Sequence, residues 1–375
     1  MKTAKTHLTA ALSLLLAAAL VGCGGQAASS QAVSSAPTPT PNPIPAGMHM
    51  SQTGSVEEET YLNDSDYKDF LSAAEKSWVI PGLAEDMVPQ GIGYGEATGR
   101  VYVSAYSPSD EPSVLMAVDE TGSLQAEYHL QNSDGSAFDG HVGGVAVSDT
   151  TLYLSAKTIA KTHYYIAAIP LSDLQEQGCQ DVRIETLIPV PISPSQLSYS
   201  DGILWVGNFY HPSSDYNLSA GMEFTTPSAD GDYGCYLLGY RLGEEESTRL
   251  TPAQGQDFAV PDYVLAAPNK IQGMQVTNGR VVLSQSYGRR VDSALLVYDL
   301  DLDADSDTTV PVDGTQVPCW VLDSARQTAR LTAIPMTEGL TLTPDGRVYV
   351  LFESGAEHYS DGSNRTDHVW ALTLP

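Results

Sequence analysis

The chain has 375 residues, with 46 Asp and Glu against 18 Lys and Arg and a formal net charge of −28. So acidic a surface excludes nucleic acid and an anionic bilayer as electrostatic partners, and it repels acidic substrates unless a local basic patch receives them. Besides Cys23, three cysteines remain (Cys179, Cys235 and Cys319); being odd in number they allow at most one intramolecular disulfide. No CxxC or short Cys/His spacing accompanies them, so they read as small buried apolar residues.

Lys2 and Lys5 precede the apolar run "LTAALSLLLAAALVG". A basic start, a short apolar core and small residues before a cleavage point make a secretory signal, too short for a stable transmembrane helix. The string "LVGC" (Leu20 to Cys23) resembles the bacterial lipobox. That resemblance implies a signal over 1–22, cleavage before Cys23 and a lipid on its sulfur, hence a membrane-anchored protein facing outside the cytoplasm. Residues 23–58, in which "GGQAASSQAVSSAPTPTPNPIPAG" follows Cys23, read as a disordered tether, because such a composition buries no core. In the region 59–76, "SDYKDFLSAAEK" predicts one short helix over 65–76 with Ser65 or Asp66 as N-cap.

From 77 to 375 one pattern recurs. The copies are "PQGIGYGEATGRVYVSAY" (89–106), "GGVAVSDTTLYLSAK" (143–157), "SQLSYSDGILWVGNF" (195–209), "IQGMQVTNGRVVLSQS" (271–286) and "EGLTLTPDGRVYVLFES" (338–354). Each is a small or amide residue, an alternating strand, a turn rich in Asp, Asn or Gly, and a β-branched or aromatic strand. A third strand follows every copy (113–118, 164–169, 235–240, 294–299 and 368–374), and a fourth follows four of them (124–130, 183–190, 262–268 and 329–335). Four antiparallel strands repeating every roughly 50–75 residues predict an all-β, five-bladed propeller. The fifth copy lacks a fourth strand, and "SWVIPGL" (77–83) matches the missing one, so the N-terminal strand is expected to complete the last blade and remove an edge. "EGLTLTPDGRVYV" resembles the repeat core of the NHL-type, gluconolactonase-like and strictosidine-synthase-like propellers.

Antiparallel order gathers chemistry on one face. The starts of the inner strands bring Gln90, His141, Gln196, Gln272 and Glu338 toward the axis; the connections from second to third strands bring Tyr106, Lys157, Asn208, Tyr287, Arg289, Glu353 and His358. The opposite face carries acidic loops such as "DLDLDADSD" (299–307), which lacks the Gly and Glu positions of an EF-hand. The longest connection on the first face, 208–236, is rich in aromatics, Asn, Asp and Ser, and reads as a lid. Arg289 and Arg290 can fork onto a carboxylate or sulfate.

Three functions fit. The first is a non-catalytic module binding a small polar ligand, glycan or protein at this face, since no GxSxG, Ser-His-Asp order or phosphate loop is present. The second, implied by the gluconolactonase-like resemblance, is a metal-dependent lactonase or esterase. There Glu338-Gly339 matches the family's Glu-Gly element and Asn269 its Asn, as ligands of a divalent cation such as calcium, and His141 moves a proton. No Asp stands at a strand start to supply the family's remaining ligand. The third is a scaffold for envelope complexes.

Overall fold

The structure is a computed structural model that describes residues 47–374 apart from 110, 157–162, 214, 215, 217, 244, 245 and 278. The predicted signal segment, Cys23, the Pro-rich part of the tether and Lys157 lie outside the described residues.

Five antiparallel sheets stand around one axis. Blade 1 runs outward as Val88–Gly95, Arg100–Tyr106, Val114–Val118 and Leu124–Asn132. Blade 2 is Val145–Val147, Thr151–Ser155, Tyr164–Pro170 and Thr186–Val190. Blade 3 is Pro194–Ser200, Ile203–Asn208, Cys235–Arg241 and Tyr263–Ala267. Blade 4 is Ile271–Thr277, Gly279–Gln285, Ser293–Leu300 and Gln327–Ala333. Blade 5 is Thr337–Leu342, Val348–Phe352 and His368–Leu372, and Ala74–Val79 completes it from the other end of the repeat region. The turns obey their residues: Asp201 and Gly202, at φ 53° and 72°, supply the two left-handed positions of a type I′ hairpin.

The closing strand is paired as expected, with Ala74 opposite Leu372 and Lys76 opposite Trp370. It starts before Ser77, so the predicted helix is cut short: 3-10 turns at Thr60–Asn63 and Ser65–Tyr67 lead into an α-helix of only Lys68–Ala73. Asp64, rather than Ser65 or Asp66, is the cap, its carboxylate accepting from Asp66 N at 2.9 Å. Tyr61, Tyr67 and Phe70 of this region are buried, with Tyr61 and Phe70 against Trp370 and Phe70 against Phe352. Each such burial contributes about 1.5–3 kcal/mol.

Two connections between third and fourth strands carry additional strands that the repeat pattern does not assign. The predicted strand 183–190 breaks at Glu185: Gly178–Ile184 runs parallel to the outer strand of blade 1, and only Thr186–Val190 joins blade 2. The segment after "DLDLDADSD" forms the hairpin Thr308–Val312 and Thr315–Val321, whose second strand runs parallel to the outer strand of blade 3. Both cover edges whose N–H and C=O groups would otherwise lack partners.

Residues expected to belong to the tether up to residue 58 are in part ordered. Residues 48–56 form an extended strap. Met48 and Met50 are buried with Trp78 and Met87. Gln52 donates to Val79 O and Gly122 O and accepts from Leu124 N, and the Asp367 carboxylate accepts from Ser55 N and Val56 N. Apolar "MHM" is the signal that this stretch is not linker.

The blades meet at the axis through glycine. A Cβ on Gly339 would lie 2.8 Å from Ile92 N, one on Gly91 would lie 3.0 Å from Gly144 C, and one on Gly273 would overlap Glu338 O. Serines latch neighbouring blades there: Ser104 Oγ donates to Val142 O and Ser284 Oγ to Glu338 O, each at 2.6 Å. Gly273→Ala is therefore expected to cost about 1–3 kcal/mol in urea unfolding, the range of core overpacking. Gly243→Ala, where a Cβ meets nothing within 4 Å, should stay within about 0.5 kcal/mol of the parent. Equal effects of the two would refute the axial crowding.

Candidate functional site

An extra residue interrupts the pairing where the inner strand enters in four blades. In blade 1 Pro89 faces Ala105 but Gly91 faces Ser104; in blade 4 Ile271 faces Gln285 but Gly273 faces Ser284. Blade 5 slips between Thr337 and Leu340, and blade 3 between Pro194 and Gln196. A β-bulge breaks the alternation of side chains and re-aims one of them. The residues re-aimed are Gln90, Gln272 and Ser195, with Glu338 inside the blade 5 bulge.

Three of these meet. Gln90 Nε2 donates to Glu353 Oε2 at 2.8 Å, and Gln272 Nε2 donates to Glu338 Oε1 at 3.1 Å. Glu338 and Glu353, from the first strand of blade 5 and the end of its second, lie within hydrogen-bonding reach of each other. Burial, followed by the neighbouring Glu353 charge, pushes the Glu338 carboxyl well above the usual range. Burial pushes Glu353 up to about 7, although donors from Gln90 and Tyr359 hold it down in part. Two carboxyls this close cannot both ionise readily, so near neutrality the pair retains a proton.

Aromatic groups surround that pair. Tyr106 and Tyr359 approach hydroxyl to hydroxyl at 3.2 Å. His141 stacks on the Tyr106 ring with centroids 4.1 Å apart. It is open to solvent yet hemmed in by protein, and desolvation lowers its pKa. Val142, the next residue, holds φ 43°, a strained conformation for a β-branched side chain. Arg289 lies 4.6 Å over the Tyr359 ring and binds Asp361 at 2.7 Å, and Arg290 donates to Asp361 O. The arginine pair thus ties the blade 4 connection to that of blade 5. One edge of the half-exposed Arg289 guanidinium is already committed to Asp361.

Other expected members are elsewhere. Gln196 takes the register of Gly91 and Gly273, one residue past the bulge, so its side chain turns into blade 3. There Nε2 donates to Asn208 O at 3.2 Å, while Oε1, deeply buried, has no hydrogen-bond partner. Asn208 is buried and structural: Nδ2 donates to Gly234 O and Oδ1 accepts from Tyr236 N. Asn269 is bound to the same long connection, accepting from Gly234 N at 3.0 Å and donating to Asp232 O at 3.2 Å. The carboxyl beside Glu338 is therefore Glu353, and Asn269 is not its companion. In blade 2 the counterpart of Gln90 is Gly143, and His141 reaches the face from two residues upstream; Ser155 N bonds Gly144 O much as Ser104 faces Gly91.

Tyr287 lines a separate cleft of about 560 Å³ between blade 4 and the long connection, together with Lys270, Asn269, Tyr233, Asp292 and Arg330. Its exposed ring neighbours His211 at 4.4 Å and Phe209 at 6.1 Å, with the Lys270 ammonium 5.6 Å from its centroid. Phe209 also contacts Tyr216 at 4.9 Å. Sequence reasoning overlooked Tyr359; its signal was "FESGAEHY", a Glu, His and Tyr following a second strand.

No family model matches the chain, and no curated protein matches it. Among solved structures it is similar to the hydrazine synthase of Kuenenia stuttgartiensis at 12% identity and a TM-score of 0.31, over 70% of this chain and 55% of that one. The chain thus spans about half the length of that protein. A gluconolactonase of Xanthomonas campestris gives 12% identity over 77% and 86% of the two chains with a TM-score of 0.31. The GH43_1 enzyme of Xanthomonas citri gives 10% over 83% and 94% with a TM-score of 0.40. Likeness at this level assigns nothing to this chain, whose propeller is read from its own strand pairing.

The raised Glu353 pKa fixes a pH dependence. A carboxyl at about 7 in the fold and 4.5 in its ordinary state keeps a proton that the unfolded chain has released. The stability this provides is complete below about 4.5 and is lost as pH rises to about 7. Unfolding free energy should fall between about pH 4.5 and about pH 7, and Glu353→Gln should flatten that fall. An identical slope in parent and variant would contradict the shared-proton pair.

Proposed function

We propose that the protein is a binding module for a small, hydroxyl-rich polar ligand, taken up at the axial face. The observation that carries this reading is the convergence of Glu338, Glu353, Gln90 and Gln272 beside Tyr106, Tyr359 and Arg289. A carboxyl pair with one proton both donates and accepts hydrogen bonds, amides do the same, and the half-exposed guanidinium adds a fork. The exposed Tyr287 ring adds an aromatic surface at the separate cleft, the kind of surface on which sugar rings stack. A glycan or sugar-derived ligand suits that combination.

Sugars, aldonic acids and lactones tested by thermal shift and calorimetry should include at least one that stabilises the chain. A ligand at a hundred times its Kd raises the unfolding free energy by about 2.7 kcal/mol. Gln90→Ala with Glu353→Gln should weaken that ligand at least tenfold. A panel with no binder, or binding unchanged in the double variant, would overturn the reading.

One observation favours a second reading, a metal-dependent lactonase or esterase. Two adjacent carboxyls that release their shared proton, with two carboxamides beside them, form an oxygen donor set that suits calcium. When bound, such an ion would polarise a carbonyl. His141, near but outside that set, would carry the proton. Calcium-dependent lactone hydrolysis that is lost in Glu338→Gln would replace the binding reading with this one.

The lipobox-like "LVGC" supports placement outside the cytoplasm by a lipid on Cys23. Cys23→Ser should move the chain from the membrane to the soluble fraction and remove the lipid mass from its N-terminus; unchanged fractionation would reject the anchor.

A further inference from the structure

A second set of chemistry-bearing side chains meets at the outer edge of blade 1. Glu127 and His129 stand two apart on the outer strand, so they share a face. The added parallel strand sets Cys179 directly opposite Glu127. The strap carries His49 over both. Glu127 Oε2 accepts the backbone N–H groups of His49 and Met50 at 2.8 and 2.7 Å. Oε1 meets His49 Nδ1 at 2.7 Å and His129 Nε2 at 3.1 Å, and Cys179 Sγ lies 3.8 Å from His49 Nδ1. One donor atom from each of the four residues lies within 4.8 Å of every other.

We infer that His49, Glu127, His129 and Cys179 form a four-coordinate site for a zinc-class divalent ion, which fastens the N-terminal strap and the added strand to blade 1. Two imidazoles, a thiolate and a carboxylate are the donor types that zinc takes. Bond lengths of about 2.0–2.1 Å to N or O and 2.3 Å to S imply tetrahedral edges of about 3.3 Å between N or O atoms and 3.6 Å between N and S. Three separations, 2.7, 3.1 and 3.8 Å, fall on both sides of those edges and the others stay within 4.8 Å, so side-chain shifts of up to about an ångström complete the tetrahedron. Charge also balances: a thiolate, a carboxylate and two neutral imidazoles cancel the ion's two positive charges. Glu127, whose side chain is 0% exposed, is held by backbone donors: Oε2 accepts from His49 N and Met50 N, and Oε1 also accepts from His49 N at 2.9 Å. Such outer contacts are what orient a ligating carboxylate. The exposed His49 leaves the site open to entry from solvent. Loading takes the proton from the Cys179 thiol and leaves each imidazole protonated only on its other nitrogen, the released protons passing to water.

A second group, Glu59, Asp367 and His368, is also compact. It contains no thiol, and the Lys76 ammonium already binds Glu59 while His368 Nδ1 binds Asp367 at 2.5 Å. Its charges are matched within the protein.

The test uses the full chain without a histidine tag, stripped with chelator and titrated with Co(II) and then Zn(II). The expected result is one Co(II) per chain with a thiolate-to-cobalt charge-transfer band and the strong visible bands of four-coordinate cobalt, all displaced by zinc. Cys179→Ser should abolish the charge-transfer band, and His49→Gln, on an exposed side chain, should weaken zinc at least tenfold. Zinc should also slow proteolysis within residues 47–56 of the parent and of neither variant. Absence of a stoichiometric cobalt spectrum, a charge-transfer band that survives Cys179→Ser, or equal zinc protection in parent and variants would overturn the proposal.

Discussion

Five inner strands meet at one axis so closely that their backbones almost touch, and the rest of the molecule answers to that crowding. Gly91, Gly144, Gly273 and Gly339 stand where a Cβ would collide with a neighbouring blade. Such an approach leaves no room for regular alternation of side chains, and the strands enter through β-bulges. The bulges in turn throw Gln90, Gln272 and Glu338 out of the packed layers and toward one end of the axis. The candidate site is thus a by-product of how the ring closes. Amides and a carboxyl that regular alternation would have turned into a sheet face meet at that end of the axis instead, with Gln90 and Glu338 still buried, where Glu353, Tyr106 and Tyr359 join them.

The outer rim solves the converse problem. There the blades diverge, and each outer strand presents unpaired backbone groups. Blades 1 and 3 borrow strands from the connections of blades 2 and 4, and blade 5 takes its outer strand from near the N-terminal side of the fold. The strap of residues 48–56 then crosses the gap between blades 1 and 5, with Gln52 and Asp367 satisfying backbone groups on either side. These additions bring residues far apart in sequence into contact, and the cluster of His49, Glu127, His129 and Cys179 exists only because two of them meet at blade 1.

The blades were readable from sequence because each strand carries its own signal: alternation, β-branched residues and Asn, Asp or Gly at the turn. Ring closure was readable too, since one copy lacked a fourth strand and an upstream segment resembled it. The candidate site was readable only in part. Gln90, Gln272, Glu338 and Glu353 fall together as their places in the repeat suggest. Gln196 matches the same template by letters, but the blade 3 bulge falls on Ser195, and a shift of one residue reverses a side chain. Asn208 and Asn269 look like ligand groups, yet they hold the backbone of the long connection. The strap was hidden by a boundary drawn on composition, and the added strands by their place inside the connections between third and fourth strands.

The sequence by itself determined the five repeated units, the strand order within each and the face on which polar side chains collect, because those depend on local pattern and antiparallel connectivity. Only the tertiary structure decided which of those side chains meet, where the bulges fall, which edges receive a borrowed strand and what lies under the strap. Those choices depend on the contact distance between neighbouring backbones, a quantity that no single segment carries.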